Sequence, residues 1–366
     1  MINLLLPIGG RSSRFPHMNP KWSLTHPRGE MMLIEAIKGL DLSDVGRICV
    51  IGLEEHNTRF QLVDALSAQF SALGLRDKVD FVLLDEYTRN QPETIAVGIR
   101  KGNVTGAIYI KDSDNFFRDK PTAANCIAGY DLHHIEKVNA RSKSYFEVNA
   151  DGYVTNIVEK KIVGSKFCAG GYSFESAAAY LEYFDRYAAE KDLYLSHIIY
   201  GMILDGPSFT YSDVTDYVDW GTIKEWQAYT RQYSTLFVDL DGTLVKNSAQ
   251  YTAPFWGETE GIQANIDALN HLYDSGKVQV IITTSRKENT REVTLRQLER
   301  VGIKYHKLIF DLAHGRRIII NDYAPSNPFK SCDAINIKRN SADLKAMLED
   351  SIGFHLDVKL TEPPAT

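Results

Sequence analysis

The run LFVDLDGTLV, Leu236 to Val245, is an apolar strand ending in two aspartates one residue apart, followed by Gly and Thr. Side chains alternate along a strand, so Asp239 and Asp241 fall on the same side of it. The carboxyl edge of a parallel sheet is where ligands gather. There one carboxylate can act as nucleophile while the other shuttles a proton. Such a run usually opens a domain, yet here it lies about two-thirds of the way along a 366-residue chain. A separate domain is therefore expected in front of it.

Downstream, strand and helix alternate: STLFVDL, then helical IQANIDALNHLYDSG, strand VQVIITT, helical TREVTLRQLERVG and strand RRIIIND. The second strand ends in Thr283 and Thr284, and the third in Asn321 and Asp322. On these residues the segment 233–366 resembles the haloacid dehalogenase-like phosphatases, a Rossmannoid α/β fold. The resemblance implies that Asp239 is phosphorylated during turnover and that Asp241 is the general acid/base. It implies Thr284 as the second motif, with Thr283 as the other register. It implies magnesium held by Asp239, Asp241 and Asp322. The departures are Asn321 where a second acid is usual, and no Lys-Pro ahead of that motif. Lys307, Arg316 and Arg317 are the nearest cations. The gaps between motifs leave no room for a cap domain. The pocket is expected to be open, or covered by the first domain or by a second copy in a homo-oligomer.

Upstream, NLLLPI, RICVIGL, VDFVLLD and GAIYIKD read as buried strands, with helical EMMLIEAIKGL, TRFQLVDALSAQFSAL and ETIAVGIRKG between them. This alternation predicts a doubly wound, mostly parallel sheet. KSYFEVNADGYVTNIVEK predicts a hairpin turning at Asp151-Gly152. A helix around TIKEWQAYTRQY ends the region, and the domains are predicted to be 1–232 and 233–366.

The first strand leads into PIGGRSSRFPHMNPKWSL, where Gly9 and Gly10 allow close backbone approach. Amides of such a loop cradle phosphate oxygens, and Arg14 and Lys21 add charge suited to a triphosphate. Asp112 and Asp114 in YIKDSDNFF and Asp219 in DYVDWGT are strand-end carboxylates able to hold magnesium. Lys160 closes another strand in VEKK. Together these resemble the nucleotidyltransferases that activate sugar 1-phosphates, of the glucose-1-phosphate thymidylyltransferase type. That resemblance implies a Rossmann-like domain with a mixed sheet. Gly9, Gly10, Ser12 and Ser13 would lie in its nucleotide loop, and Asp114 and Asp219 would bind the metal. Lys160 would meet the acceptor phosphate, Gln91 and Thr94 the base or ribose, and Gly170 and Gly171 would line the acceptor site. Ser12 stands where a third glycine is usual.

A net charge of −6 argues against nonspecific nucleic-acid binding. No apolar run is long enough to span a membrane. Cys49, Cys126, Cys168 and Cys332 lack metal-ligand spacing and are read as reduced thiols of a cytoplasmic protein. His133 and His134, adjacent in sequence, are assigned to the surface or framework, while His197 is placed near the acceptor pocket. The tail TEPPAT is expected to be frayed.

The expectation is a bifunctional magnesium enzyme of activated-sugar or polyol-nucleotide synthesis for a surface polysaccharide. Its substrates would be a nucleoside triphosphate and a small phosphorylated sugar or polyol. The alternatives are a transferase carrying a catalytically silent phosphatase fold, or a nucleotide-sensing scaffold.

Overall fold

The four apolar runs of the N-terminal half pair side by side. In the computed structural model they are β1 (Ile2–Pro7), β2 (Val45–Leu53), β3 (Val79–Leu84) and β4 (Ile108–Lys111). β1 lies between β2 and β4, and β2 carries β3 outside it, all parallel. The structure describes residues 1–15, 18–134, 143–322 and 331–352. The segment TEPPAT, 361–366, lies outside them.

These strands read as unbroken apolar runs because both faces of the sheet are covered. Leu5, Cys49 and Ile51 join one core cluster, while Leu4, Leu6, Ile48 and Val50 join the other, so the two-residue period sorts the faces. Helices α1 (Met32–Ile37), α2 (Glu54–Phe60), α3 (Leu62–Ala72) and α4 (Gln91–Lys101) connect them. The helix expected over TRFQLVDALSAQFSAL breaks at Gln61, whose φ of +51° is left-handed.

The sheet then turns mixed. β5 (Asn115–Arg118) leaves it, β6 (Cys126–Asp131) returns, and β7 (Ser144–Val148) with β8 (Val154–Glu159) form the expected hairpin. Gly152 in its turn has φ +83°. β9 (Lys166–Phe174) runs antiparallel between β4 and β6, and β10 (Thr210–Asp213) joins β6 at the edge. The order is β10-β6-β9-β4-β1-β2-β3. Helices α5 (Ala177–Tyr187) and α6 (Leu195–Asp205) pack behind β9 and β8. β11 (Thr215–Asp219) pairs with β5 as a separate antiparallel ribbon.

The chain divides into two units, Met1–Trp226 and Gln227–Thr366, with the division inside helix α7 (Ile223–Thr230). The second unit has a parallel sheet of β12 (Ser234–Asp239), β13 (Val278–Thr283) and β14 (Lys307–Ile309), in that order. Helices α8 (Gln263–Asp274), α9 (Arg291–Val301) and α10 (Leu344–Ile352) accompany it. Its core gathers Leu240, Leu244, Ile266, Leu269, Val280 and Ile282. From Asp239 to Gln263 the chain makes turns and isolated bridges, with no helix or strand.

The strand expected at RRIIIND does not form. Ile318, Ile319 and Ile320 are 68%, 52% and 92% exposed, and none of them pairs with β12, β13 or β14. After Phe310 the backbone turns at Asp311, φ +60°, and bonds Leu312 N–H to the Thr284 carbonyl at 3.1 Å. That fold-back leads the isoleucines away from the sheet. No helix among the described residues is long and apolar enough to cross a membrane.

Candidate functional site

In the first unit the strand-end acids converge. Asp112 follows β4, Asp114 precedes β5, and Asp219 ends β11 opposite Asn115 in the ribbon. The Trp220 amide donates to the Asp114 carbonyl at 2.9 Å, fastening the Asp-Trp-Gly turn to the Asp114 loop. A Cβ placed on Gly221 would stand 2.9 Å from Asp219 Oδ1, 3.7 Å from Asp114 Oδ2 and 3.5 Å from Arg14 Nη1. Two carboxylates and one guanidinium thus border a cradle about one atom wide. The two carboxylates of this border are oxygen donors of the kind magnesium takes.

Each of those carboxylates carries a lysine. Lys21 Nζ lies 2.6 Å from Asp114 Oδ2 and 3.0 Å from the Gly221 carbonyl. Arg14 is 3.7 Å from the same Asp114 oxygen and half exposed. Lys143 forms an ion pair with Asp219, and its ammonium donates to Tyr217 Oη at 2.6 Å. Burial alone would push the Asp114 carboxyl up, but Lys21 and Arg14 outweigh it and hold it well below the usual range. Asp112 goes the other way, to about 6, through burial and the charge of Asp114. Asp112 accepts from Gln91 Nε2 at 2.6 Å, which draws the start of α4 into the cluster.

Beneath the acids lies Lys111, fully buried, donating to the carbonyls of Asp112 and Asn115 and to Asn115 Oδ1. Burial pulls its pKa down to about 7. Gly170, with φ +98°, passes so close that a Cβ there would be 2.4 Å from Asn115 Nδ2 and 2.7 Å from Asp112 Oδ2. Gly171 instead makes room for Tyr109, whose Oη would be 2.2 Å from an added Cβ.

The glycine loop closes over this edge. Ser12 adopts φ +49°, the left-handed region that explains why glycine is usual there. Its Oγ accepts from the Lys21 amide at 3.1 Å, an internal bond that offsets part of the strain. Gly9 faces Thr94, whose hydroxyl bonds to Thr88 Oγ1 at 2.5 Å. Gly10, Ser12 and Ser13 line an open cavity of about 460 Å³ with His56 and Tyr87. Trp22 Nε1 donates to His56 Nδ1 at 3.3 Å, and His56 Nε2 lies 3.4 Å from Tyr87 Oη. The Tyr87 ring is thereby fixed, with the Arg11 guanidinium 4.5 Å from its centre.

Lys160, φ +57°, turns its ammonium to Tyr194 and stacks on that ring at 4.2 Å. His197 accepts from the Tyr194 amide at 3.4 Å and helps start α6. His133 pairs with Asp131 on the surface. Cys168 is buried, which pushes its thiol well up. A further group, His26, Glu30 and Glu35, has ligand atoms within 4.8 Å of one another. Lys38 already pairs with both glutamates, at 2.7 and 2.5 Å.

In the second unit Asp239 stands at the end of β12 with half its side chain exposed. Burial of the rest, and the charge of Asp241, raise its pKa against Arg317 and Arg339. Asp241 faces a different partner. Arg286, fully buried, donates Nε to its Oδ2 at 2.9 Å and Nη2 to its Oδ1 at 2.8 Å. Ser248 Oγ adds 2.8 Å and Thr284 Oγ1 3.4 Å to the same carboxylate. Thr283 bonds instead to the Val238 carbonyl. Arg317 Nη2 lies 4.0 Å from Asp239. Lys307, in β14, sits opposite Ile281, and Asp322 is exposed, its carbonyl accepting from Ser331 Oγ.

Lys143, Lys111, Arg286 and Arg339 carry no motif and were missed from the sequence. For Lys111 the available signal was a lysine inside otherwise apolar strand sequence.

No protein-family model matches the sequence, and no curated protein matches it. Solved structures do. A nucleoside-diphosphate-sugar pyrophosphorylase from Vibrio cholerae RC9 is 19% identical over 62% of this chain and 98% of its own, with TM-score 0.52. An apo UDP-glucose pyrophosphorylase is 13% identical over 63% and 99%, at 0.51. An inositol-1-phosphate CTP transferase from T. maritima is 12% identical over 61% and 90%, at 0.50. The share covered is about that of the first unit. At these identities the likeness establishes the fold alone, a mixed α/β arrangement on a mixed sheet.

Proposed function

We propose that the first unit transfers a nucleoside monophosphate from a nucleoside triphosphate to the phosphate of a small sugar or polyol. The observation that carries this is the cradle at Gly221, where Asp114, Asp219 and Arg14 face one point beside the glycine loop. The likeness to proteins described as a sugar pyrophosphorylase and an inositol-1-phosphate transferase supports the acceptor class. Asp114 and Asp219 would hold magnesium, which neutralises phosphate charge and orients the reacting oxygens. Gly10 and its neighbours receive the triphosphate, and Lys21 and Arg14 exchange their bonds to Asp114 for bonds to phosphate. The acceptor oxygen attacks the α-phosphorus, the bond to the bridging oxygen breaks, and pyrophosphate leaves with that electron pair. Lys160 and Tyr194 receive the acceptor. No protein nucleophile is needed, since positioning and charge neutralisation supply the rate.

A second activity is favoured by the geometry of the other unit. Asp239, Asp241 and Thr284 meet at one strand edge, as hydrolysis of a phosphomonoester through an aspartyl-phosphate requires. Asp239 is the nucleophile. Arg286 and Ser248 orient Asp241, which handles the proton. The protein then supplies an activated sugar or polyol in the cytoplasm, for a surface polymer, and trims a phosphate ester on the same route.

Phosphorus NMR of the full chain with magnesium, four nucleoside triphosphates and a panel of sugar and polyol phosphates tests both. New diphosphate-ester signals with pyrophosphate establish transfer, and Asp219→Asn should remove them. Release of inorganic phosphate that stops in Asp239→Asn while transfer continues establishes the second activity. If no diphosphate ester forms from any pair, the transfer reading falls.

A further inference from the structure

A phosphate ester placed at Asp239 brings negative charge to a carboxylate that already has the Asp241 carboxylate two residues on. A cation must meet it. Lys307 lies back along β14, opposite Ile281 rather than at the strand end. Arg286 is fully buried, with Nε and Nη2 on Asp241 and Nη1 on Thr294 Oγ1 at 3.2 Å, so each of its three nitrogens already holds a partner. Arg317 approaches Asp239 to 4.0 Å.

We propose that Arg339 is the principal phosphate-binding cation of the second unit, acting with Arg317 to grip phosphoryl oxygens over Asp239. This rests on the phosphatase reading of that site and names a residue for it. The argument begins with how firmly Arg339 is placed. The next residue, Asn340, adopts φ +63° and donates its amide to the Gly242 carbonyl at 2.7 Å. Its Oδ1 accepts from the Asn247 amide at 2.8 Å. Asn265, fully buried, donates to the Thr243 carbonyl at 2.7 Å and to the Ser341 carbonyl at 2.9 Å, and accepts from the Leu344 amide at 3.1 Å. The 340–344 segment is thus bonded to the Asp-Gly-Thr turn from both sides.

Gly242 completes the fit. Its φ is +87°, and a Cβ there would be 2.8 Å from Arg339 Cγ, 3.5 Å from Cδ and 3.7 Å from Nε. The arginine stem therefore lies flat on the glycine, directly beside the nucleophile's loop. Gly242 is three residues beyond Asp239, so the arginine stands against the turn that follows the nucleophile. No ion pair or side-chain hydrogen bond of the Arg339 guanidinium is recorded among the described residues, in contrast to Arg286. A guanidinium suits this role because its fork matches two phosphoryl oxygens, whereas an ammonium meets them as a point charge.

The test uses the full chain and inorganic phosphate as probe, followed by hydrogen-exchange mass spectrometry. Phosphate is expected to slow exchange across 240–243 and 340–341. In Arg339→Ala that protection should need roughly 10- to 100-fold more phosphate, as loss of a charge-assisted bond implies. Arg339→Lys should fall between, with the melting temperature unchanged in both. Equal protection in Arg339→Ala, or no protection of this turn in the parent protein, overturns the proposal. Hydrolysis of p-nitrophenyl phosphate is followed in parallel, with Asp239→Asn as control. Arg339-dependent protection without hydrolysis would mean that the phosphatase reading fails while the phosphate site stands. Hydrolysis whose inhibition by phosphate ignores Arg339 would mean the reverse.

Discussion

Lys143 closes on Asp219 much as Lys21 closes on Asp114, so both candidate metal carboxylates are neutralised by the protein's own ammonium groups. A divalent ion must displace them, and the lysines then need new anions, which a bound triphosphate offers. Mn²⁺ should therefore bind the nucleotide-free protein weakly and the nucleotide complex tightly. In Lys143→Met, Mn²⁺ affinity without nucleotide should rise about 3- to 10-fold, the scale of one ion pair's competition. Electron paramagnetic resonance titration of free Mn²⁺ measures it. An affinity that falls in this variant would mean that Lys143 helps the ion rather than competing with it.

Gly221 borders the cradle without being part of the core. Gly221→Ala would place a methyl 2.9 Å from Asp219 Oδ1. Transfer should drop by about 100-fold or more, as for a misplaced charge-stabilising group. Melting should shift by no more than a few degrees, as for a change of about 1 kcal/mol. A fully active variant would show that the ion or phosphate does not occupy this point.

The raised pKa of Asp112 has a sign that can be checked. Its carboxyl moves from 3.8 to about 6 through burial and Asp114. The folded protein holds this proton more tightly than the unfolded chain does. Its stabilising contribution is therefore complete below about pH 4 and lost as the pH rises through about 6. Asp112→Asn retains an acceptor for Gln91 and removes the charge. Thermal melting should place the variant above the parent at about pH 8, with the gap shrinking toward about pH 4. A gap independent of pH would tie the effect to packing instead.

Arg286 is an obligate partner of Asp241. Arg286→Met leaves that carboxylate, only 17% exposed, without its two strongest donors. The second unit should lose about 3 kcal/mol, as for a broken buried pair. Adding Asp241→Leu should recover much of the stability but not hydrolysis. Urea unfolding followed by fluorescence of Trp256, which is buried in that unit, reads both variants. A single variant as stable as the parent would show that the pair contributes nothing.

The elements legible in the sequence are those whose residues carry their own reason. β1 and β2 are apolar on both faces because both faces are covered, and Asp219 ends a strand opposite the residue that follows Asp114. Lys143 was not legible because its partner Tyr217 lies 74 residues on, and nothing local marks the contact. Arg286 stands 45 residues from Asp241, and nothing local marks that contact either. The isoleucines at 318–320 show the opposite failure. Their composition is that of a strand, but the left-handed turn at Asp311 and the Leu312–Thr284 bond redirect the chain before it reaches them. Propensity describes the residue and pairing describes the partner, and only the first is local.

The β5–β11 ribbon sets the order in which the first unit can become competent. Its ladder joins Asn115 to Asp219, so the loop between the two candidate metal carboxylates spans some hundred residues of chain. The parallel core of β1 to β4 ends at Lys111 and can assemble while the rest is still being made. Closing so long a loop costs entropy that only later contacts repay. A nascent chain halted before Asp219 would hold a glycine loop and Asp114 but no completed cradle. Maturation of the site is thereby coupled to completion of the unit that carries it.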